Sequence, residues 1–183
     1  MKRIFQISII ILAILAGNLS AQSTRDVTKL PGYINLDKIK IPKSAEEVTD
    51  ISIGPGLLSL ISRVASDSSE KKSFSGILSI RVKSFEIDST ISGKVLKSIK
   101  EIIRKIEKEN WETIVKVKDK NEITNISIKV VKGKPVGLLI ISYDPDGEVT
   151  LANVCGEKID LSAIKNIGMG FDDYSDKLDD FNF

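Results

Sequence analysis

From residue 47 onward, apolar side chains recur either every second residue or at helical spacing, and the switches between these periods mark the elements. Glu47 to Ile53 keeps a rough period of two, which predicts a short strand that Gly54-Pro55-Gly56 stops. Leu57, Leu58, Ile61, Val64 and Ala65 then follow at helical spacing with Ser59, Ser62 and Arg63 between them, predicting an amphipathic helix over 57–65. A Ser/Lys-rich loop over 66–75 separates it from a second strand beginning at Gly76. In that strand Leu78, Ile80 and Val82 are expected on one face and Ser79, Arg81 and Lys83 on the other. Residues 93–110 carry the clearest helical pattern. Val95, Leu96, Ile99, Ile102, Ile103 and Ile106 share one face, and Lys97, Lys100, Glu101, Arg104, Lys105 and Lys108 share the other. Such a helix is about 27 Å long, enough to cross a sheet.

Four strands follow, over 111–118, 122–131, 136–143 and 148–154. Asp119-Lys120-Asn121, Lys132-Gly133-Lys134-Pro135 and Asp144-Pro145-Asp146-Gly147 turn the chain between them. Val136–Tyr143 is apolar on both faces, as a central strand is. Asp160 can cap a short last helix over 161–166. The order β-α-β-α-β-β-β-β-α predicts an α+β fold, a two-layer sandwich with a mixed, mostly antiparallel sheet. The strands joined by the long helix are expected to be parallel through a right-handed crossover, followed by an antiparallel meander. If both helices cover one face, Leu139 and Ile141 are left as an apolar patch that a partner or second copy could bind.

Residues 22–47 have little periodicity and read as an extended lead-in to one domain over 48–168, with an acidic tail over 169–183. The first 21 residues have another character. Met1-Lys2-Arg3 is basic, Ile4–Gly17 is apolar apart from Gln6 and Ser8, and Asn18-Leu19-Ser20-Ala21 is small and polar. That is the pattern of a secretory signal peptide, with an apolar run short of the ~20 residues that span a bilayer. Cleavage is expected after Ala21. No cysteine follows the apolar run, so a lipid anchor at that point is not expected.

Charge and composition narrow the chemistry. Removal of Lys2 and Arg3 leaves 25 basic and 25 acidic residues, a neutral balance that argues against nucleic acid as a partner. Cys155 is the only cysteine, and the chain contains no histidine. Internal disulfides, Ser-His-Asp and Cys-His nucleophile systems, and His-ligated zinc or iron are thereby excluded. Asp144-Pro145-Asp146-Gly147-Glu148 has its glycine fourth, where a calcium loop needs it sixth, so it reads as a hairpin turn. Asp172, Asp173, Asp176, Asp179 and Asp180 read as a solvated terminus, although Phe181 and Phe183 are unusual there. The Lys-rich helix face is interleaved with Glu101, Glu107 and Glu109 and reads as solvated. Cys155 reads as a small, partly buried residue without nucleophilic chemistry, and Trp111 as a plug between helix and sheet. No catalytic, cofactor-binding or metal-binding residue is assigned.

Several linked pieces resemble a bacterial family known as the domain of unknown function numbered 4252. They are Gly54-Pro55-Gly56-Leu57-Leu58, Gly76-Ile77 leading to Ile80-Arg81-Val82 and Phe85, Trp111-Glu112, Val136-Gly137-Leu138, and the run from Glu148 to Asp160. Together they span roughly residues 30–168. The resemblance implies an exported envelope protein and supplies no site residues. The expected function is that of an exported, non-enzymatic envelope protein, periplasmic or at the cell surface, which binds an envelope protein or itself. The alternatives are a histidine-independent hydrolase of envelope material using an Asp/Glu pair, and a self-associating scaffold subunit. No transmembrane segment is expected once the signal is removed.

Overall fold

The computed structural model describes residues 26–64, 74–119, 122–145 and 147–160. The expected signal peptide, the last helix over 161–166 and the acidic tail lie outside them. Six strands form one sheet: β1 (Glu46–Ile53), β2 (Ile77–Glu86), β3 (Glu112–Asp119), β4 (Glu122–Val131), β5 (Lys134–Tyr143) and β6 (Glu148–Gly156). Helix α1 (Pro55–Val64) joins β1 to β2, and helix α2 (Ser89–Lys108) joins β2 to β3. The fold is α+β.

The sheet order is β1-β2-β6-β5-β4-β3, and every neighbouring pair is antiparallel. The parallel pairing expected across α2 does not form, so the sheet is not mixed. β2 and β3 do run the same way, but α2 carries the chain over the whole meander and sets β3 at the far edge. Strands β4, β5 and β6 fill the gap between them. That gap is roughly 19 Å at the usual strand spacing, and a helix of 20 residues reaches across it with its rise of about 1.5 Å per residue.

Both ends of α2 are specified locally. Asp88 accepts hydrogen bonds from the backbone N–H groups of Thr90 (2.8 Å) and Ile91 (3.3 Å), so the helix begins at Ser89, four residues before the expected start. At the other end Asn110 takes a left-handed φ of 56° and the Trp111 N–H reaches back to the Ile106 carbonyl. This is a Schellman closure, which turns Trp111 inward. The β4–β5 turn places Lys132 and Gly133 both at positive φ, the type I′ geometry whose twist matches a hairpin.

Alternation along the strands gives the sheet two buried faces. On one, α2 sets Val95, Ile99, Ile102 and Ile106 against Phe85, Leu139, Ile141, Tyr143, Val149 and Leu151. On the other, Leu58 of α1 packs with Ile80, Ile126, Ile128, Leu138, Ile140 and Val154. The helices thus lie on opposite faces, adding a partial third layer to the expected sandwich. Leu139 and Ile141 are fully buried beneath α2, so the interface expected there does not exist. β5 is central and buried on both faces, as its sequence implied. In β2, a register shift between Ile77 and Ser79 buries Ile77 in place of Leu78.

The lead-in closes the long-helix face. Residues 26–45 form a strap of irregular chain with 3-10 turns at Val27–Lys29 and Leu36–Lys38. Ile34, Leu36 and Ile39 of this strap are fully buried in the α2-side core. No helix among the described residues is long and apolar enough to cross a membrane.

Candidate functional site

Among the described residues, the strongest concentration of polar chemistry lies under the strap. Arg81 and Lys83 alternate along β2 and project onto the long-helix face, not into solvent as their pattern suggested. Their side chains keep only 12% and 8% exposure. The Arg81 guanidinium grips Asp37 with two bonds, Nη2 to Oδ1 at 2.6 Å and Nη1 to Oδ2 at 3.0 Å, and also donates to the Tyr33 hydroxyl at 3.3 Å. Lys83 Nζ lies 3.3 Å from Asp37 and 3.4 Å from Asp50 of β1. A bidentate guanidinium–carboxylate pair fixes direction as well as charge. It holds the Asp37 carboxyl down at about 2, chiefly through the Arg81 hydrogen bonds and further through Lys83. Arg81 Nε is buried without a partner.

Directly opposite Arg81 across the ladder, Asn153 of β6 makes the second tie. Its carboxamide accepts from the Ile34 N–H (2.9 Å) and donates to the carbonyls of Gly32 and Leu138 (3.0 Å each). The register pairs Arg81 with Asn153, so clamp and tie stand side by side. Close by, the strap crosses β5 backbone to backbone. A Cβ on Gly137 would lie 2.5 Å from the Gly32 Cα and 2.8 Å from the Trp111 ring, so this crossing requires glycine. No sequence pattern marks Asp37, Tyr33 or Asn153. They meet β2 across long stretches of chain, and no local period encodes that meeting.

The residues weighed from the sequence fall elsewhere. Trp111 is buried in the α2-side core with its Nε1 unpartnered, a packing role at the helix–sheet junction. Cys155 is fully buried, and desolvation pushes its thiol up to about 12, so it carries no thiolate at neutral pH. Asp144 and Glu148 flank a hairpin closed by Asp144 N–H to the Glu148 carbonyl at 3.2 Å. Among the described residues no three His, Cys, Asp or Glu side chains group as metal ligands. The polar face of α2 is solvent-facing, with Lys105 and Glu109 3.6 Å apart. Near that helix end lies an open cleft of about 420 Å³, bordered by Thr28, Tyr33, Lys105, Glu109 and Lys129. Lys129 points its ammonium at the carbonyls of Glu109 and Asn110, which caps the helix terminus.

No curated protein and no solved structure matches the chain. The profile of the domain of unknown function DUF4252 matches residues 43–167, from just before β1 to beyond β6. The strap, apart from its last three residues, lies N-terminal to that match, whereas Arg81, Lys83 and Asn153 lie within it. With the match covering the sheet and both helices, the chain belongs to the DUF4252 family.

Proposed function

We propose that this chain is an exported, non-catalytic interaction module of the bacterial cell envelope, periplasmic or on the cell surface. Export rests on the basic, apolar and small-polar succession of residues 1–21. One observation carries the interaction reading: the bidentate Asp37–Arg81 pair, with Lys83 between Asp37 and Asp50, holds one piece of chain against another. A carboxyl held at about 2 is a permanent anion near neutral pH, suited to anchoring a cation and unsuited to proton transfer.

Two measurements test the reading. The intact mass of the native protein should correspond to a chain beginning at Gln22, and retention of Met1–Ala21 would overturn the cleaved signal and make the segment an inner-membrane anchor. Chemical crosslinking in the envelope fraction should trap a discrete heteromeric or homomeric species. Monomer alone, across a range of crosslinker lengths, would overturn the interaction role.

A further inference from the structure

We propose that the floor that β5, β6 and β2 form beside α2 is a peptide-binding site that this chain fills with its own strap. The proposal rests on the interaction reading and names its ligand. The ligand is a segment with apolar residues before an acidic one and another apolar residue two positions after it, as in Ile34-Asn35-Leu36-Asp37-Lys38-Ile39.

Three independent observations converge on it. First, among the described residues the strap's backbone-to-backbone hydrogen bonds stay within the strap, as in Tyr33 to Leu30, Ile39 to Leu36 and Ala45 to Pro42. Its polar ties to the sheet run through the side chains of Arg81, Lys83 and Asn153, and its apolar ties through Ile34, Leu36 and Ile39. A bound peptide is held in the same way, by pockets and a few oriented polar groups. A strand would instead be laddered into the sheet. Second, the family match begins at residue 43, so most of the strap lies outside the domain that carries the floor. Third, the fit is incomplete: Arg81 Nε is buried with no acceptor, although guanidinium groups in such places are normally saturated. A competing segment that offers one more carbonyl or carboxylate oxygen at that point gains a bond the strap does not make.

The strap therefore acts as a ligand in cis, and the apparent affinity for a ligand in trans is reduced by the fraction of time the strap is seated. The test uses a fluorescent synthetic peptide of residues 30–41 and the whole chain. In Asp37→Lys, the strap repels Arg81 and Lys83 while the floor stays unaltered. This protein should bind the wild-type peptide at least about tenfold more tightly than the wild-type protein does. A peptide that itself carries Asp37→Lys should lose that binding. Asp37→Asn provides a milder release, and far-ultraviolet circular dichroism with a cooperative thermal melt reports whether each variant keeps its fold. Folded variants that bind the peptide no better than wild type would overturn the proposal, as would a failure of both variants to fold, since the strap would then be an inseparable part of the core. Neither result touches the crosslinking outcome, so failure of this site and failure of the interaction role remain distinguishable.

Discussion

The two faces of the sheet are buried by different means. The short-helix face is aliphatic: Ile80, Ile126, Ile128, Leu138, Ile140 and Val154 meet Leu58, Ile77 and Ile159 with no charged side chain among them. The long-helix face is a hybrid, in which the apolar surface beneath α2 shares the sheet with the buried Asn125–Ser127 pair of β4 and adjoins Arg81, Lys83 and Asn153 beneath the strap. Apolar burial is non-directional and stabilises many arrangements of similar volume. Buried polar groups stabilise only the arrangement that satisfies them. α2 is thus held mainly by area, whereas the strap, besides burying Ile34, Leu36 and Ile39, is oriented by a few bonds that can be removed singly.

The largest expected effect is common to both means of burial. Trp111→Ala removes the side chain on which the end of α2, Gly137 and the strap crossing converge. Loss of a buried tryptophan costs about 3–5 kcal/mol, and a thermal melt within a degree or two of wild type would contradict the packing role.

Next, Asn153→Ala leaves the Ile34 N–H and the Gly32 carbonyl without their partner. The expected loss is about 2–3 kcal/mol, with hydrogen exchange accelerated across residues 32–39 more than in β4. Leu58→Ala on the opposite face should cost a similar amount, roughly 2–3 kcal/mol, without accelerating exchange in the strap. Equal exchange in the two variants would erase the distinction between the faces.

How these elements are encoded decides how much of them a sequence pattern discloses. The strands and α2 followed from period because each contributes a continuous apolar stripe. The centrality of β5 followed because Val136 to Ile141 has no polar side to turn outward. Arg81 and Lys83 misled for the same reason, since alternation with Ile80 and Val82 is the signature of a solvated face. What buries them is a distant segment with Pro31, Gly32 and Pro42 and no repeating period. The sheet order was likewise hidden, because the pattern of β2, α2 and β3 is the same whether the crossover spans no strand or three. Nor does the helical spacing of α1 disclose orientation: Leu57 and Leu60 stay about half exposed while Leu58 is buried.

The smallest effect expected is electrostatic. Pairing lowers the Asp37 carboxyl from its usual 3.8 to about 2 in the folded protein. The stabilisation it provides is therefore complete above about pH 4 and is lost as pH falls toward 2. Because the Asp37 side chain is 59% exposed, water screens the pair. Asp37→Asn should cost only about 1 kcal/mol near neutral pH. The variant's stability should fall less steeply with acid than the wild type's. Parallel acid limbs in chemical denaturation would show that the clamp contributes nothing to the fold.

The route of α2 over the meander also bears on how the protein folds. Strands consecutive in the chain from β3 to β6 are separated by no more than four residues, so their pairing is local, whereas the β2–β6 ladder joins residues such as Ser79 and Cys155 that lie far apart in the chain. Closing that ladder confines α2 and the whole meander within one loop. The entropy of such closure must be overcome before most of its contacts form. The β1–β2 ladder, whose partners Ile53 and Ile80 lie much nearer in the chain, carries a smaller closure cost.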